Sequence, residues 1–523
     1  MPAWKYAFSL SLEEVKNATP PGTVQLIGHQ ETENGHVVDE VRKLPQPSPD
    51  PADPLNWTLL RKSMVLATAS LYAFVANFTS SCIAPALQLW SITFSNDHRS
   101  FAQLTYLIAV HVLFLGTANI WWVPLANVFG RRPVMILATL VMTLASVWCA
   151  IASSYNSLIA ARIFQAIGGA AADTVAPALL GDIYFVDERG RALAVYTIFL
   201  CTGPLVGGIA GGYIGFDLGW DYIFWICTGL SGACFVASML FVPETLYSRI
   251  APTDSNGQSD NISVKETTAT RLENADPESY PSYTIARTLA LHRPRGKLLP
   301  QFLRPWLTLK FPAVWVVMLH YAGLVGGVAA ISVVGIQLVA SPPYLWGANA
   351  GLLQIGALIG SLLALLYTYI SSDSGLKRRA KHETNGLAEA EDRLPAMFPC
   401  LAIATAGFLV FGFCGQHPSQ HGWVGLEVGF GMLAFGLMQI PSIGFTYIID
   451  SYETLAADCF VIVAILRSII SFAWTFFVAE WVEKKGAAEA FGIFGLLMGI
   501  FALLTVPLWK YGKRIRIATA ALV

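Results

Sequence analysis

The sequence predicts an all-α membrane protein: twelve transmembrane helices in two pseudo-symmetric bundles of six. Three observations carry this expectation. Of 523 residues, 54% are hydrophobic and only 13% are charged, whereas a soluble domain carries charge on about 25% of its residues. Mean hydropathy is +0.54. Twelve apolar stretches reach the roughly 20 residues that a helix needs to cross a bilayer core, and a long polar insert divides them six and six. A net charge of -1 supplies no basic field for nucleic acid.

Residues 1–62 are polar and proline-rich, with Pro45, Pro47, Pro49 and Pro51 in close succession. They carry no signal-peptide pattern and are expected to form a disordered cytoplasmic tail. Spans one to six are placed at 64–88, 102–124, 133–152, 157–180, 192–214 and 221–242, inside an N-terminal bundle at 63–244. The insert at 245–310, with SNGQSDN and ETTATRLENADPESYPS, has almost no hydrophobic periodicity before residue 298 and reads as a flexible linker. Its end, KLLPQFLRPWLTLK, mixes aromatics with Lys297, Arg304 and Lys310 and is expected to lie as a surface helix at the inner interface. Spans seven to twelve follow at 312–336, 345–370, 397–415, 422–447, 457–479 and 489–509, in a C-terminal bundle at 311–510. Residues 511–523 form a cytoplasmic tail.

Basic residues gather on one side: Arg61, Lys62, Arg131, Arg132, Arg189, Arg191, then Lys377, Arg378, Arg379, Lys381 and Arg393, then Lys510, Lys513, Arg514 and Arg516. The other side has only Arg99, Lys484 and Lys485. That asymmetry puts both termini and the linker in the cytoplasm, in a multi-pass protein expected in the plasma membrane and functional as a monomer. The sequons NAT, NWT and NIS then lie on the cytoplasmic side and NFT inside a span, so all four are chance matches. The eight cysteines sit in apolar stretches without a CxxC pair and read as small buried hydrophobes. With no P-loop and no HExxH, no cofactor and no metal are expected. Scattered histidines and single acids at loop ends argue against a polytopic membrane enzyme.

Four local patterns stand out. The loop PLANVFGRRPVMI offers Gly130 for a tight turn and Arg131 and Arg132 for the cytoplasmic face, with Asn127 able to cap a helix. In ARIFQAIGGAAAD, helical geometry returns Arg162 and Asp173 to one face, roughly 16 Å apart and too far for a direct salt bridge. Gln165 lies near that face between them. Charges inside a span must face a bundle interior or a wet cavity, so the stripe suggests a water-filled path with Asp173 exchanging a proton and Arg162 modulating it. Span five reads TGPLVGGIAGG, where Pro204 kinks the helix and Gly203, Gly207 and Gly208 allow close approach. Finally, Asp182-Ile183-Tyr184 and Asp450-Ser451-Tyr452 end spans four and ten alike, as repeated halves would. Lone polar groups remain in His111, His320, Glu427 and Arg467, of which Arg467 has no obvious partner.

These patterns resemble the major facilitator superfamily. The loop is similar to its signature G-x-L-A-D-R-x-G-R-R, with Asn127 in place of the aspartate and Val123 in place of the first glycine. Arg162 to Gly168 resembles the fourth-span R-x-x-Q-G pattern, and Gly203-Pro204 with Gly207-Gly208 resembles the antiporter motif G-P-x-x-G-G. DPLNW from Asp53, GDIYFVDERGRA, VPETL from Val242, EDRL from Glu391 and YIIDSYE from Tyr447 are similar to the fungal drug:proton antiporter branch, and the likeness runs from about residue 50 to 515. The resemblance implies the major facilitator fold, small-molecule substrate and protons as partners, and proton-coupled efflux of an amphipathic organic compound such as a drug or secondary metabolite. It implies a proton-coupling group at Arg162, Gln165 and Asp173 and a helix pivot at Gly203, Pro204, Gly207 and Gly208. It implies an inner gate in which Asp182, Glu188 and Arg189 pair with Arg131 or Arg132, beside Asn127, Gly130 and, in the second half, Asp450. Spans one, four, seven and ten line the cavity in the family, which suggests Phe74, Asn77, Trp315, Tyr321 and Phe430 as substrate contacts. The alternative is an uptake carrier or facilitator for a small organic cation such as a polyamine.

Overall fold

In the computed structural model the described residues are 52–90, 99–247, 297–367, 387–438, 443–452 and 455–520, with shorter pieces at 4–18, 24–25, 29–31 and 37–39 and single residues Pro20, Ser48 and Asp50. Each expected span meets a helix. Eleven helices among the described residues are long and apolar enough to cross a membrane, and the shorter apolar helix Gly422–Leu437 supplies span ten. Most are apolar nearly all round, as buried or lipid-facing helices are. The two short strand pairings, Val24–Gln25 with Leu387–Ala388 and His29–Glu31 with Val37–Asp39, lie outside the spans.

Within the first half, spans one and five pack together, as do three and six, and three and four; within the second, spans nine and ten, nine and twelve, and seven and eleven. Two seams join the halves, span two against span eleven and span five against the start of span eight. The glycines of span five make its close contacts with span one and with span eight possible. A Cβ on Gly203 would stand 2.5 Å from the Phe74 carbonyl oxygen, and one on Gly207 would stand 2.6 Å from that of Phe78. Gly211 meets the Cys82 carbonyl in the same way. These positions recur every four residues and press one helix face onto span one. Gly208 turns instead to Gln354 of span eight, in the other half. Gly211→Ala therefore forces a methyl group into backbone that cannot yield, at a cost of about 1–3 kcal/mol. A melting temperature in detergent several degrees below wild type is expected, with Gly229→Ala, where nothing lies within 4 Å, as the unaffected control. Equal melting of both variants would show that the seam tolerates a side chain.

Two segments differ from expectation. The N-terminal segment expected to be disordered holds helices at Trp4–Ser9 and Leu12–Asn17 among its described residues. The second has a capping box, in which Ser11 Oγ accepts from Glu14 N–H and the Glu14 carboxylate accepts from Ser11 N–H. Asp53 is fully buried and accepts from Ser48 N–H at 2.9 Å and Leu55 N–H at 3.0 Å, which fixes the turn before span one. At the other end, the residues expected as a C-terminal tail continue a helix, Thr505–Thr519. The reason is charge pairing, since Arg516 is buried in contact with Glu389 and Glu391. The ends also meet: Arg514 donates to the Phe8 carbonyl at 3.1 Å, and Phe8 packs on Tyr511. The linker lies mostly outside the described residues, but its end is the helix Leu298–Leu307, which exposes Leu299, Leu303 and Leu307 and ties Arg304 to Asp458 of span eleven at 3.1 Å.

Candidate functional site

Arg162 is fully buried, and uncharged oxygens solvate it. Its Nη1 donates to the Thr79 carbonyl at 2.6 Å and to Gln165 Oε1 at 2.8 Å, Nη2 to the Ser80 carbonyl at 3.0 Å, and Nε to the Leu107 carbonyl at 3.2 Å. Thr79 and Ser80 stand in the last turn of the span-one helix Leu59–Ser81. The final carbonyls of a helix have no partner within it, and its dipole favours a cation there. Arg162 thus caps span one and fastens it to spans two and four. Gln165 extends the network by donating to Ser146 Oγ of span three at 2.8 Å.

This corrects the expected stripe. Arg162 does not line the cavity between the halves, whereas Asp173 does. Span four is interrupted at Ala170, between the helices Tyr155–Gly169 and Ala171–Ile183. Trp122 Nε1 donates to the Ile167 carbonyl at 2.7 Å and Tyr72 Oη to that of Gly168 at 2.5 Å on the near side of this break.

The cavity is lined by residues of both halves. In its wall Asp173 forms an ion pair with Arg467 of span eleven, with side-chain exposures of 5% and 8%. The Arg467 guanidinium also lies 4.5 Å from the centre of the Tyr321 ring of span seven, a cation–π contact. The arginine without an obvious partner thus faces the acid of the opposite half, 294 residues away. Asn77 of span one, whose Nδ2 donates to the Ala73 carbonyl at 3.0 Å, lines the same cavity.

Of the five expected substrate contacts, Asn77 and Tyr321 line the cavity, and three do not. Phe74 packs on Phe78 and Phe199. Phe430 is fully buried in the core of the second half. Trp315 is half-exposed and donates to the Leu309 carbonyl at 2.8 Å. Large rings serve helix packing here, and aliphatic side chains such as Val112, Leu200 and Val328 fill the wall between the hydroxyls of Ser81, Ser332 and Ser361.

At the arginine-rich end, Gly130 takes φ 107° and lets the chain turn closely around Glu244. The Glu244 carboxylate accepts from the N–H groups of Arg131 at 2.9 Å, Arg132 at 3.2 Å, Thr245 at 3.0 Å and Leu246 at 2.9 Å. It satisfies the open first turn of span three from a distant part of the chain. Arg131 Nε lies 3.4 Å from Asp182, and its Nη1 donates to Asn127 Oδ1 at 2.6 Å. Asn127 replaces an ion pair with a hydrogen bond and meets Gln301 of the surface helix at 3.4 Å. Glu188 is exposed, and the side chain of Arg189 lies outside the described residues.

The second half repeats the pairing. Arg393 Nε donates to Asp450 at 2.9 Å. Both D-x-Y acids therefore hold an arginine at the start of the third helix of their half. Arg516 forms a fork with Glu391 at 2.8 and 2.6 Å and reaches Glu389 at 2.6 Å, which Lys513 also holds at 2.6 Å. Burial alone would raise the Glu389 carboxyl, but these cations hold it below its ordinary value.

Glu244, Arg393, Arg467 and Arg516 are site residues that sequence reasoning left out. Their motifs, VPETL and EDRL, and the lone intramembrane charge were visible, but the partners were not. His320 is an ordinary interhelical bonder, between the Phe501 carbonyl at 2.8 Å and Thr505 Oγ1 at 3.2 Å.

A family model described as Major Facilitator Superfamily matches residues 69–456. An uncharacterized MFS-type transporter of Schizosaccharomyces pombe is 27% identical, over 91% of this chain and 88% of its own length. Protein HOL1 of Saccharomyces cerevisiae is 25% identical over 95% of both chains. Efflux pump FUB11 of Gibberella moniliformis is 28% identical over 89% of this chain and 76% of its own. Among solved structures, the Escherichia coli xylose transporter XylE superimposes with a TM-score of 0.56 at 14% identity, covering 86% of this chain and 99% of its own. The human organic anion transporter MFSD10 gives 0.53 at 15%, covering 85% and 99%.

Proposed function

The chain belongs to the major facilitator superfamily, a family of multi-pass membrane transporters, and on that premise we propose that it exports a small amphipathic organic compound in exchange for a proton, by alternating access. One observation carries the reading: the Asp173–Arg467 pair joins the two halves inside the cavity. While paired, the two charges cancel, and a largely aliphatic compound fits beside them. A proton on Asp173 leaves Arg467 charged and unpartnered in a dry wall, which costs several kcal/mol. The freed guanidinium draws water into the cavity in place of the aliphatic substrate, so substrate and proton compete for the carrier. Competition of this kind is what exchange requires.

The remaining residues take roles around the pair. Arg162 and Gln165 hold the end of span one and so shape the wall at Ser80 and Ser81. Gly203, Pro204, Gly207 and Gly208 give the close, pivoting contact of span five with both halves. Asn127, Gly130, Arg131, Arg132, Asp182, Glu244 and, in the second half, Arg393 and Asp450 brace the helix ends of their own half at the inner gate, with Glu188 and Arg189 at its margin. Relatives named as efflux pumps support the export direction, and the basic face supports cytoplasmic termini in a plasma-membrane carrier. A polyamine-like cation has less support, because binding it at Asp173 would orphan Arg467.

Inside-out vesicles carrying the protein test this. A non-ionic amphipathic fluorophore of low passive permeability is expected to accumulate when the lumen is made acid and to leave when the gradient is collapsed. Uptake indifferent to the gradient would remove proton exchange.

A further inference from the structure

We propose that the same cavity also accepts amphipathic carboxylates, with the opposite proton linkage: an organic anion loads on Arg467 together with a proton on Asp173. This rests on the cavity being the transport site, and it adds a substrate class to that reading. The argument is one of charge conservation. The pair has one member of each sign, both almost fully buried. Any ionic substrate must displace one member, and removing one partner of a buried pair leaves an uncompensated buried charge.

Only one of the two can be neutralised. An arginine in a protein keeps its proton, whereas a carboxylate can take one up. A cation that binds Asp173 therefore strands Arg467, with only the face of Tyr321 to compensate it. A carboxylate that binds Arg467 strands nothing if Asp173 is protonated. The anion then receives the Nη2 that Asp173 has vacated together with the buried Nε, which has no hydrogen-bond partner among the described residues, a pair suited to two parallel hydrogen bonds.

Among the described residues the surroundings supply no competing titration partner of comparable strength. Groups within electrostatic range of Asp173 are Tyr72 from span one, Tyr196 and Cys201 from span five, Tyr321 from span seven and Arg467 from span eleven. Tyrosine and cysteine side chains are neutral near pH 7 by their ordinary values. Among the described residues, the carboxylate–guanidinium pair is thus the one place in this wall where a proton and an organic anion can be exchanged together. The aliphatic remainder suits the hydrocarbon part of such an acid.

A matched series tests it: 4-phenylbutyrate, 4-phenylbutanol and 4-phenylbutylamine, titrated calorimetrically into the full-length protein in nanodiscs at pH 5.5 and 7.5. Phenylbutyrate is expected to bind more tightly at the lower pH, by up to about tenfold per pH unit, with proton uptake measured from buffers of different ionisation heat. Phenylbutanol is expected to weaken over the same interval and release protons. Phenylbutylamine should bind no better than the alcohol at either pH. Asp173→Asn should bind phenylbutyrate tightly without pH dependence, and Arg467→Gln should lose the preference for the acid. The wild-type slopes decide the matter even if a variant fails to fold. Slopes of the same sign for acid and alcohol, or an amine bound more tightly than the alcohol, overturn the inference and leave the cavity as a site for uncharged compounds. Failure of all three to bind overturns the cavity reading and this inference with it.

Discussion

Asp173→Asn is expected to lower the protein's stability by about 3–5 kcal/mol, Arg467→Gln by a similar amount, and the double variant by much less than either. Each single change leaves one charge facing an amide in an aliphatic wall, whereas the double change removes both charges and leaves two neutral groups able to hydrogen-bond. A double-mutant cycle on unfolding in mixed micelles reads this coupling directly. The contact is direct and both groups are nearly out of solvent, so the interaction term should dominate the cycle. Additive losses would mean that the two side chains are not partners in the working protein. The same variants separate stability from transport. Asp173→Asn and the double variant should both lose response to a pH gradient, since neither keeps a titratable carboxylate, yet the double should be the better folded. A double variant that still accumulates substrate against an imposed pH gradient would take Asp173 out of the coupling.

Arg162→Lys is the second large effect. Lysine keeps the charge but offers one compact ammonium in place of a planar fork. The four acceptors of Arg162 come from three helices: Thr79 and Ser80 in span one, Leu107 in span two and Gln165 in span four. One ammonium cannot reach all of them, and a buried acceptor left unmet costs about 1–3 kcal/mol each. A loss of several kcal/mol is expected, seen as a large drop in folded yield and melting temperature. The surviving fraction should retain its proton linkage, because Arg162 is separate from the ion pair. Normal stability together with a shifted pH profile would reverse that assignment and return Arg162 to the transport path.

Much of the architecture was legible because a bilayer imposes length. A run of about 20 apolar residues is a span whatever its neighbours do, and the glycines at 203, 207 and 211 announce close approach by their spacing. The D-x-Y triplets also carried real information, since Asp182 and Asp450 hold equivalent arginines. Which face of a span meets the cavity was not legible. A helix that is apolar all round has no stripe to mark its inner side, so the spans that line the family's cavity suggest Trp315, Phe74 and Phe430 without fixing which way they face. The structure gives those rings to packing. Partnership was equally hidden: nothing local to Asp173 points to Arg467, and nothing in VPETL shows that Glu244 closes the first turn of a helix begun 113 residues earlier. Such contacts follow from tertiary assembly and leave no periodic trace in either partner.

The meeting of the two chain ends makes the polypeptide a closed circuit. Phe8 is held on the C-terminal helix through Arg514, and Ser48 is held beside Tyr247 at the end of the first half. Between these two points the strand Val24–Gln25 pairs with Leu387–Ala388, ahead of span nine. The leading segment is thus fastened twice to the second half and once to the end of the first, and it straps one half to the other.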